Sequence, residues 1–460
     1  MIKTNIMNKP GTNKIYQSVK KIKNRFNRKR ADLNLANIIS LGCPKNLVDS
    51  ETIAGILTEN GYTLINDYHH ANIIVINTCG FLASARKEAY DIIGKVSRDK
   101  SDNQILIVCG CLPQVEGRLI SRKYPKINYL LGSSDFPIIN KLIHTIYNPK
   151  KYCQIDLNPR FIMADESKLF STPKSYAYIK IADGCDNRCH YCLIPSIRGK
   201  YRSRKMEYIV QDAQNAADTG RKEIILVAQD TTRYGIDLYG RQMLPVLLTK
   251  LNRIKDLKWI RILYTHPAHI TDELIHTIAH TEKVANYIDI PLQHTVDKIL
   301  RSMGRPEHNI AARAIDKLRK QIPDIVIRTS IITGFPGETE KDFKQLLKDI
   351  RQAEFDWLGT FTYSAEKGTK AYTLKDKVQT GIKEDRKQAI MELQQGITSG
   401  KNKNRIGRKY DILADADFEG HTEFQAPEID GKIIFNKRHK QGDIFNGTIK
   451  AVKQVYDLIA

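Results

Sequence analysis

The sequence lacks the features that would place the protein in or beyond a membrane. No apolar run approaches the length needed to span a bilayer, and the amino terminus has no hydrophobic segment typical of a secretory signal. Because disulfides are lost in a reducing compartment, we expect the eight cysteines of this 460-residue chain to be thiols available as ligands. The length predicts roughly two to four domains. We therefore expect a cytoplasmic protein that does not associate with membranes.

Acidic residues are absent from the first thirty positions, which carry ten Lys or Arg. The net charge of +22 therefore leaves +12 (22 less 10) for the other 430 residues, so most of the chain is only mildly basic. Residues 1–33 are predicted to be a disordered arm that attracts RNA. Alternatives are an organellar transit peptide, or an upstream start codon with Met7 or a later residue as the true beginning.

A second CxxC pair is also missing, which disfavours a zinc site. Zinc more often uses paired CxxC units, with a fourth Cys or His at a similar offset. Instead, Cys185, Cys189 and Cys192 are spaced four and then three residues apart in one short loop. Three thiolates at this spacing can hold three irons of a four-iron cluster and leave the fourth iron open for a ligand. We name these residues the clustered triad and predict an iron–sulfur cluster there.

Other cysteines follow three strand-like runs at 34–41, 72–76 and 104–108. Parallel strands would bring these strand ends to one edge of a sheet, so Cys43, Cys79 and one of Cys109 or Cys111 should converge as ligands. The alternative is that each is a small buried hydrophobe. Side chains alternate along a strand, so we choose Cys111 and leave Cys109 structural. We name Cys43, Cys79 and Cys111 the strand-end triad; Cys153 is expected to be an unremarkable thiol.

The remaining periodicity predicts two further domains. Six β-runs alternate with helices, too few for a closed eight-stranded barrel, which predicts an open partial (β/α)6 barrel. These runs are 176–181, 223–229, 259–264, 285–291, 325–332 and 357–363. After a polar helix at 382–395, five short runs predict a small five-stranded antiparallel β-barrel. These runs are 410–414, 420–424, 431–435, 443–449 and 454–458. The predicted organisation is α/β throughout: an open α/β domain at 34–150, a linker at 151–170, the barrel at 171–393 and the last domain at 394–460.

Two places at the predicted strand ends of the barrel are candidates for cofactor contact. Gly334 lies in a glycine-containing loop, 332–339, that follows the fifth strand and opens a helix. Such a loop allows close backbone approach and offers free N–H donors. Gln229 and Asp230 end the second strand, where ordinary helix capping is the alternative. We predict that all three residues contact the cofactor.

Several longer motifs together resemble the ribosomal-protein aspartate methylthiotransferases, a branch of the radical S-adenosylmethionine (SAM) methylthiotransferase family. The resemblance covers about residues 35 to 460. Its motifs are SLGCPKNLVDSE at 40–51, INTCGF at 76–81, the clustered triad with IPSIRG at 194–199, VAQDTT at 227–232, YIDIPLQH at 287–294 and APEIDG at 426–431. The chain departs from the usual pattern in its basic arm, in Cys109 and in Tyr264-Thr265-His266-Pro267, where a tyrosine-rich version is commoner.

This resemblance implies two 4Fe-4S clusters, an auxiliary cluster on the strand-end triad and a SAM-binding cluster on the clustered triad. It implies that Tyr191 lies by the SAM adenine and that the last domain is a TRAM domain. The implied reaction uses two SAM molecules to add a methylthio group to the β-carbon of an aspartate in small-subunit ribosomal protein twelve. An electron donor and a sulfur donor would be needed, the enzyme is expected to be a monomer, and no side chain beyond the cluster ligands is assigned a catalytic role.

The main rival is the sister family that methylthiolates an adenosine of tRNA. That substrate favours a strongly basic terminal domain, whereas residues 396–460 carry 11 Lys or Arg against 9 Asp or Glu. The near-neutral balance and the 227–232 motif favour the protein substrate. A non-catalytic iron–sulfur or RNA-binding scaffold is the third reading, but it leaves the spacing of the clustered triad without a purpose.

Overall fold

The computed structural model describes residues 34–143, 152–156 and 163–460. The predicted basic arm, residues 1–33, lies outside the described residues. The chain divides into two compact units, Met1–Ser171 with Ser196–Gly199, and Thr172–Pro195 with Lys200–Ala460. Within the described ranges, no helix is both long and apolar enough to cross a membrane.

A parallel sheet forms the first unit, with strand order β2-β1-β3-β4-β5-β6. Its strands are β1 Leu35–Ser40, β2 Thr63–Leu64, β3 Ile73–Thr78, β4 Ile105–Gly110, β5 Tyr129–Leu131 and β6 Tyr152–Gln154. Its described helices are α1 Pro44–Glu59, α2 Ala83–Asp99, α3 Cys111–Lys123 and α4 Ile139–Ile143. Both faces of β3 and β4 are buried, as expected for Ile- and Val-rich parallel strands. The predicted open α/β fold is confirmed, and the segment predicted as a linker, 151–170, contains β6.

The second unit begins with an open barrel of parallel strands in the order β14-β13-β12-β11-β10-β7. Its strands are β7 Tyr176–Lys180, β10 Glu223–Val227, β11 Trp259–Ile262, β12 Val284–Asp289, β13 Val326–Thr333 and β14 Trp357–Thr362, and a separate antiparallel pair is formed by β8 Ala182–Asp183 and β9 Arg202–Ser203. The associated helices are α6 Met206–Asp218, α7 Ile236–Tyr239, α8 Leu244–Leu251, α9 Asp272–His280, α10 Asp297–Ser302, α11 His308–Gln321 and α12 Glu340–Ala353. Helix α5 Ile194–Arg198 has residues in both units. The end strands β7 and β14 do not pair with each other, so the predicted partial barrel is confirmed.

The last sheet differs from the predicted five-stranded antiparallel barrel. It follows helix α13 Thr380–Lys403, and its strands are β15 Lys409–Ala416, β16 Glu419–His421, β17 Ile433–Ile434, β18 Ile444–Thr448, β19 Ala451–Lys453 and β20 Asp457–Ile459. The sheet therefore has six strands, and the β17 and β20 pair is parallel. The run predicted as one strand at 454–458 begins with a turn, in which Gln454 and Val455 have φ angles of +51° and +69°. A β-branched residue rarely adopts this conformation, so strand propensity misplaced the turn.

The predicted start of the last domain, residue 394, falls inside α13. This helix continues to Lys403 because its buried polar face is bound by the second unit. The side chain of Gln394 donates to the carbonyl of Phe355 (2.7 Å), and Asn402 donates to the carbonyl of Val455 (2.8 Å). Such contacts stabilise a helix beyond the point where local propensity would end it.

Charged groups of the last sheet are buried against the barrel strands. The carboxylate of Glu223 in β10 lies 2.6 Å from Nε of Arg261 and 2.7 Å from Nε2 of His421 in β16. Asp415 lies 2.8 Å from the other ring nitrogen of His421. Because burying a lone charge is costly, each of these groups depends on its partners.

A second buried contact joins the same parts of the unit. Asp430, which precedes β17, accepts a hydrogen bond from the hydroxyl of Tyr287 (2.7 Å) and lies 3.4 Å from Nε of Arg328. We name Glu223, Arg261, Tyr287, Arg328, His421 and Asp430 the buried polar network. It connects β10 to β13 of the barrel to the last sheet.

Candidate metal centres and cofactor site

The strand-end triad lies where the first sheet gives way to helices and a loop. Cys43 is the N-cap of α1, Cys79 directly follows β3, and Cys111 is the first residue of α3. The pKa of Cys79 is raised to about 12, first by burial and then by the neighbouring thiols of Cys111 and Cys43. The structure therefore brings together the three thiols that the strand order was expected to join.

Glycines allow the three loops to approach this closely. A Cβ atom on Gly42, whose φ is +99°, would lie 2.5 Å from Cβ of Cys79. A Cβ atom on Gly80 would lie 2.8 Å from the carbonyl carbon of Cys111. Since real Cβ contacts are longer than this, larger residues would push the cysteines apart.

Buried amide side chains hold the first two loops in register. Asn46 Nδ2 donates to the carbonyl of Leu41 (2.7 Å), and Asn77 Nδ2 donates to the carbonyl of Asn46 (2.9 Å) and to Oγ of Ser50 (2.9 Å). Fixed ligand loops of this kind are typical of preorganised metal sites. Asn46 and Ser50 fall in the 40–51 motif, but spacing alone gave no indication of these contacts.

The two cysteines assigned no ligand role lie elsewhere in the same unit. Cys109 is fully buried in β4, and burial raises the pKa of its thiol. Cys153 is exposed on β6. Both positions suit thiols outside the triad.

The donor set of the strand-end triad fits a metal cluster. Its thiols form no disulfide, and the pKa values of half-buried Cys79 and buried Cys111 are raised, chiefly by burial, so without a cation they would keep their protons. A metal cluster replaces these protons and offsets the negative charge. Soft thiolate ligands suit iron–sulfur clusters.

The clustered triad lies in the loop between β8 and α5. Gly184, with φ of +78°, turns the chain into this loop. The N–H of Cys192 donates to the carbonyl of Cys189 (3.1 Å), which closes a turn between the last two thiols. The pKa of Cys185 is raised to about 11, chiefly by burial, and Cys189 contributes to the shift. The loop therefore gathers its thiols locally, as the spacing predicted.

Contacts with the end of α10 anchor this loop. The N–H of His190 donates to the carbonyl of Met303 (2.8 Å). A Cβ atom on Gly304 would lie 2.6 Å from the carbonyl oxygen of Arg188, so the two backbones touch. Arg305, next in the chain, has Nη1 3.8 Å from Sγ of Cys189. These anchoring residues were not found by sequence reasoning, because their partners are more than a hundred residues away.

Tyr191 packs against an apolar cluster beside the loop. The buried members of that cluster are Ile299, Met303, Phe335, Tyr363 and Ala371. The structure thus places an aromatic ring next to the thiols at the carboxyl edge of the barrel. This position suits a residue expected to lie by an adenine.

Asp230 is bound from three directions at the end of β10. One carboxylate oxygen accepts from Asn187 of the cysteine loop (2.8 Å) and lies 2.8 Å from Nδ1 of His269, and the other accepts from Thr232 (2.5 Å). Burial opposes ionisation, but the hydrogen bond and charge of His269 lower the pKa of Asp230 below its usual value. Asp230 therefore positions the cysteine loop. Neighbouring Gln229 donates to Asp183 (3.0 Å).

His266 belongs to the same group as Asp230 and His269. Its ring stacks on that of His269, with centroids 4.5 Å apart. Burial and then Arg305 lower the pKa of His266 to about 3, so its imidazole is neutral. Ligand atoms of Asp230, His266 and His269 lie within 4.8 Å of one another. Since Asp230 is already hydrogen-bonded, these contacts describe a positioning network rather than a metal site.

The loop of Gly334 has a different internal arrangement from the one expected. The N–H groups of Gly334 and Phe335 both donate to Oε2 of Glu338 (2.7 and 3.2 Å). Arg386 of α13 pairs with the other oxygen of Glu338 (2.8 Å). These N–H groups are therefore engaged within the protein. Gly334 would contact a cofactor through the close approach that its missing side chain allows. Glu338 was missed because its role depends on the distant Arg386.

Several buried polar atoms at the barrel edge have no hydrogen-bond partner in the described part of the chain. They are Oε1 of Gln229, Nε2 of His294, Oγ1 of Thr295 and the hydroxyl of Tyr363. Buried polar groups are normally satisfied, so these atoms at the ends of three barrel strands are available to a polar ligand. SAM, which carries hydroxyl, amine and carboxylate groups, fits this edge.

Comparisons with known proteins agree with the geometry. Residues 35–132 match the uncharacterized protein family UPF0004, residues 179–350 match the radical SAM superfamily and residues 406–460 match the TRAM domain. The ribosomal protein uS12 methylthiotransferase RimO of Acetivibrio thermocellus is 45% identical over 441 residues, which cover 92% of this chain and 97% of that protein. The chain belongs to the RimO family. The RimO protein of a Thermoanaerobacter species is 40% identical over 431 residues, covering 92% of this chain and 98% of its own length.

Solved structures share the fold of this RimO family member. The radical SAM methyltransferase TsrM from Kitasatospora setae aligns with a TM-score of 0.55 and 13% identity, covering 72% of this chain and 75% of TsrM. The cobalamin-dependent radical SAM enzyme OxsB aligns with a TM-score of 0.50 and 13% identity, covering 74% of this chain and 55% of OxsB. Identity at this level shows a common fold only. Membership of the radical SAM superfamily brings with it a 4Fe-4S cluster and SAM as cofactors.

Proposed function

We propose that this protein transfers a methylthio group to the β-carbon of an aspartate in ribosomal protein uS12. The observation that carries the proposal is 45% identity to a uS12 methylthiotransferase over 92% of the chain. An aspartate β-carbon bears no acidic hydrogen, so acid–base catalysis by side chains would be ineffective there. Radical chemistry is the appropriate alternative.

The proposal assigns the two triads to two clusters. Cys185, Cys189 and Cys192 would hold the SAM-binding 4Fe-4S cluster, and the strand-end triad would hold an auxiliary 4Fe-4S cluster. When bound, the first cluster supplies the electron that cleaves SAM to a 5′-deoxyadenosyl radical, and the second supplies the sulfur of the methylthio group. The strand-end triad follows strands of the first sheet, the clustered triad lies in the loop between β8 and α5, and each has its own anchors, which supports separate tasks.

The protein's own residues would position these groups and exclude water. Asp230 holds the cysteine loop through Asn187, and Tyr191 presents its ring to the nucleobase of SAM. The unpaired side-chain atoms of Gln229 and Thr295 are available to the polar parts of the same ligand. Apolar packing around Tyr191 would protect a reactive radical from solvent.

The partners follow from the same proposal. The substrate is uS12, free or on the ribosome, and the place of action is the cytoplasm. An electron donor and a sulfur donor are required for turnover, and the enzyme acts as a monomer. The near-neutral charge of residues 396–460 supports a protein substrate over tRNA.

The test combines cluster analysis with mass spectrometry of the product. Protein reconstituted without oxygen should bind about eight irons per chain and methylthiolate uS12 or a peptide containing its target loop. Cys185→Ala should abolish formation of 5′-deoxyadenosine and leave the iron of the strand-end triad. The triple variant Cys43→Ala, Cys79→Ala, Cys111→Ala should lose the half of the iron that the strand-end triad binds and keep the iron of the clustered triad.

Two results would contradict this function. One is an unmodified uS12 together with methylthiolated tRNA, which would favour the sister activity. The other is a single cluster with no loss of iron in the Cys43, Cys79, Cys111 triple variant. Persistent 5′-deoxyadenosine formation by Cys185→Ala would contradict the assignment of the clustered triad.

A further inference from the structure

A buried arginine contacts the strand-end triad directly. Arg198 belongs to the segment Ser196–Gly199, which groups with the first unit, and its side chain is 2% exposed. Its Nη2 lies 3.3 Å from Sγ of Cys111 and 3.2 Å from Oδ1 of Asn46. Its Nη1 donates to Asp49 at 2.7 Å. One guanidinium therefore contacts α1 and the first residue of α3, the two helices that begin at ligand cysteines.

The sulfur contact distinguishes Arg198 from Arg261 and Arg204, two other buried arginines. Arg261 pairs with Glu223 (2.6 Å), and Arg204 pairs with Asp212 (2.7 Å), each through a carboxylate. Asp49 offsets part of the charge of Arg198, but the second arm of the guanidinium is directed at a thiol. A guanidinium stays protonated, so it offers this sulfur a permanent positive charge and a donor.

We propose that Arg198 is a positioning residue for the auxiliary cluster: it hydrogen-bonds to the sulfur of Cys111 and raises the reduction potential of the cluster. The inference rests on the proposed function, because it takes the strand-end triad as the ligand set. Neither the spacing of the cysteines nor the family match assigns this role to Arg198.

The physical basis is the charge of the cluster. Reduction adds one electron, so the reduced cluster is more negative than the oxidised one by one charge, and a nearby buried cation stabilises the reduced form more strongly. A hydrogen bond to a ligand sulfur acts in the same direction. Asp49 opposes both effects, because its carboxylate neutralises the guanidinium. Removing Arg198 should therefore lower the potential, whereas neutralising Asp49 should raise it.

The opposite signs provide the test. The full chain carrying Cys185→Ala, Cys189→Ala and Cys192→Ala would be reconstituted without oxygen, so that only the strand-end triad binds iron. A redox titration followed by electron paramagnetic resonance then measures the midpoint potential. Arg198→Gln should lower the midpoint by about 59 mV, equal to a tenfold change in the one-electron equilibrium constant. Asp49→Asn should raise it, and Arg198→Lys should fall between Arg198→Gln and the parent.

Arg204→Gln is the matched control, because it removes a buried arginine of the second unit that pairs with the carboxylate of Asp212. Its midpoint should equal that of the parent. An unchanged midpoint in Arg198→Gln, or shifts of the same sign in Arg198→Gln and Asp49→Asn, would overturn the inference. If Arg198→Gln binds no iron, the midpoints of Arg198→Lys and Asp49→Asn provide the test instead. Shifts of opposite sign support the inference, and unchanged midpoints in both variants, or shifts of the same sign, overturn it. If the parent, which lacks the clustered triad, binds no cluster, the two-cluster function itself is refuted. This outcome distinguishes failure of the proposed function from failure of the inference about Arg198.

Discussion

At the scale of single residues, the chemistry of this protein depends on side chains whose partners are far away in the chain. The ligand cysteines could be predicted from sequence, since spacing defines one triad and strand ends define the other. Arg198, His269 and Glu338 could not. Arginine, histidine and glutamate are common on protein surfaces, and nothing local marks these three as the partners of a thiol, a carboxylate and a backbone loop.

His421 gives a prediction at this scale. Burial alone would lower its pKa, but Asp415 and Glu223 raise the pKa from 6.5 to about 9. Because folding raises this pKa, protonation of His421 stabilises the native state. The stabilisation is complete below pH 6.5 and is lost as the pH rises through about 9. The contribution is on the order of 3 kcal/mol. In unfolding experiments on the full chain, His421→Gln should therefore be much less stable than the parent at pH 6.5, and the difference should shrink towards pH 9 and above.

The control for His421 is His280→Gln at the exposed end of α9. This change should leave the pH dependence of unfolding as it is in the parent. A difference between His421→Gln and the parent that stays constant over the whole pH range would show that His421 carries no charge in the folded protein.

At the scale of elements, hydrophobic pattern was sufficient to place the nine predicted strands of the first sheet and the barrel, because parallel strands buried on both faces are strongly apolar. The pattern was insufficient where tertiary contacts override propensity. The turn at Gln454 and Val455 was predicted as strand, and α13 was ended too early. Short strands such as β2 and β6 were missed, since two or three residues carry too little pattern.

Gly42→Ala is the prediction for the loop elements. The added Cβ would lie 2.5 Å from Cβ of Cys79 and would also be strained at φ of +99°. We expect loss of iron from the strand-end triad alone, so that iron falls from about eight to about four per chain while SAM is still cleaved. Iron and sulfide analysis after reconstitution measures the change.

Gly61→Ala is the control that separates the effect of backbone strain from the effect of displacing the ligand Cys79. Gly61 also has a positive φ, +79°, but an added Cβ would meet nothing within 4 Å. This variant should lose stability by about 1 kcal/mol and keep all of its iron. Equal iron loss in both glycine variants would mean that general destabilisation, not the contact with Cys79, empties the site.

At the scale of the whole molecule, the buried polar network predicts that the TRAM domain and the barrel unfold as one cooperative part of the second unit. Asp430→Ala should show this, because it leaves the hydroxyl of Tyr287 and one side of Arg328 without their acceptor. We expect a loss of about 3 kcal/mol in the free energy of unfolding, with the barrel and the TRAM domain still unfolding together. Calorimetry of the full chain measures both the midpoint and the number of transitions.

The matched change within the TRAM domain is Glu419→Ala, which removes an exposed partner of Lys432. Exposed ion pairs contribute little, so the loss should be within about 1 kcal/mol. An equal effect of Glu419→Ala and Asp430→Ala would contradict a special role for the buried polar network.

The order of synthesis gives this network a further consequence. Glu223, Arg261 and Arg328 leave the translation machinery before His421 and Asp430 have been made. In a nascent barrel Glu223 can already pair with Arg261 (2.6 Å) and Arg328 with Asp289 (3.0 Å), but the partners that His421 and Asp430 supply are missing, so water must solvate these groups until the later segment docks. The second unit would then complete its folding only after the segment that carries His421 and Asp430 has been synthesised.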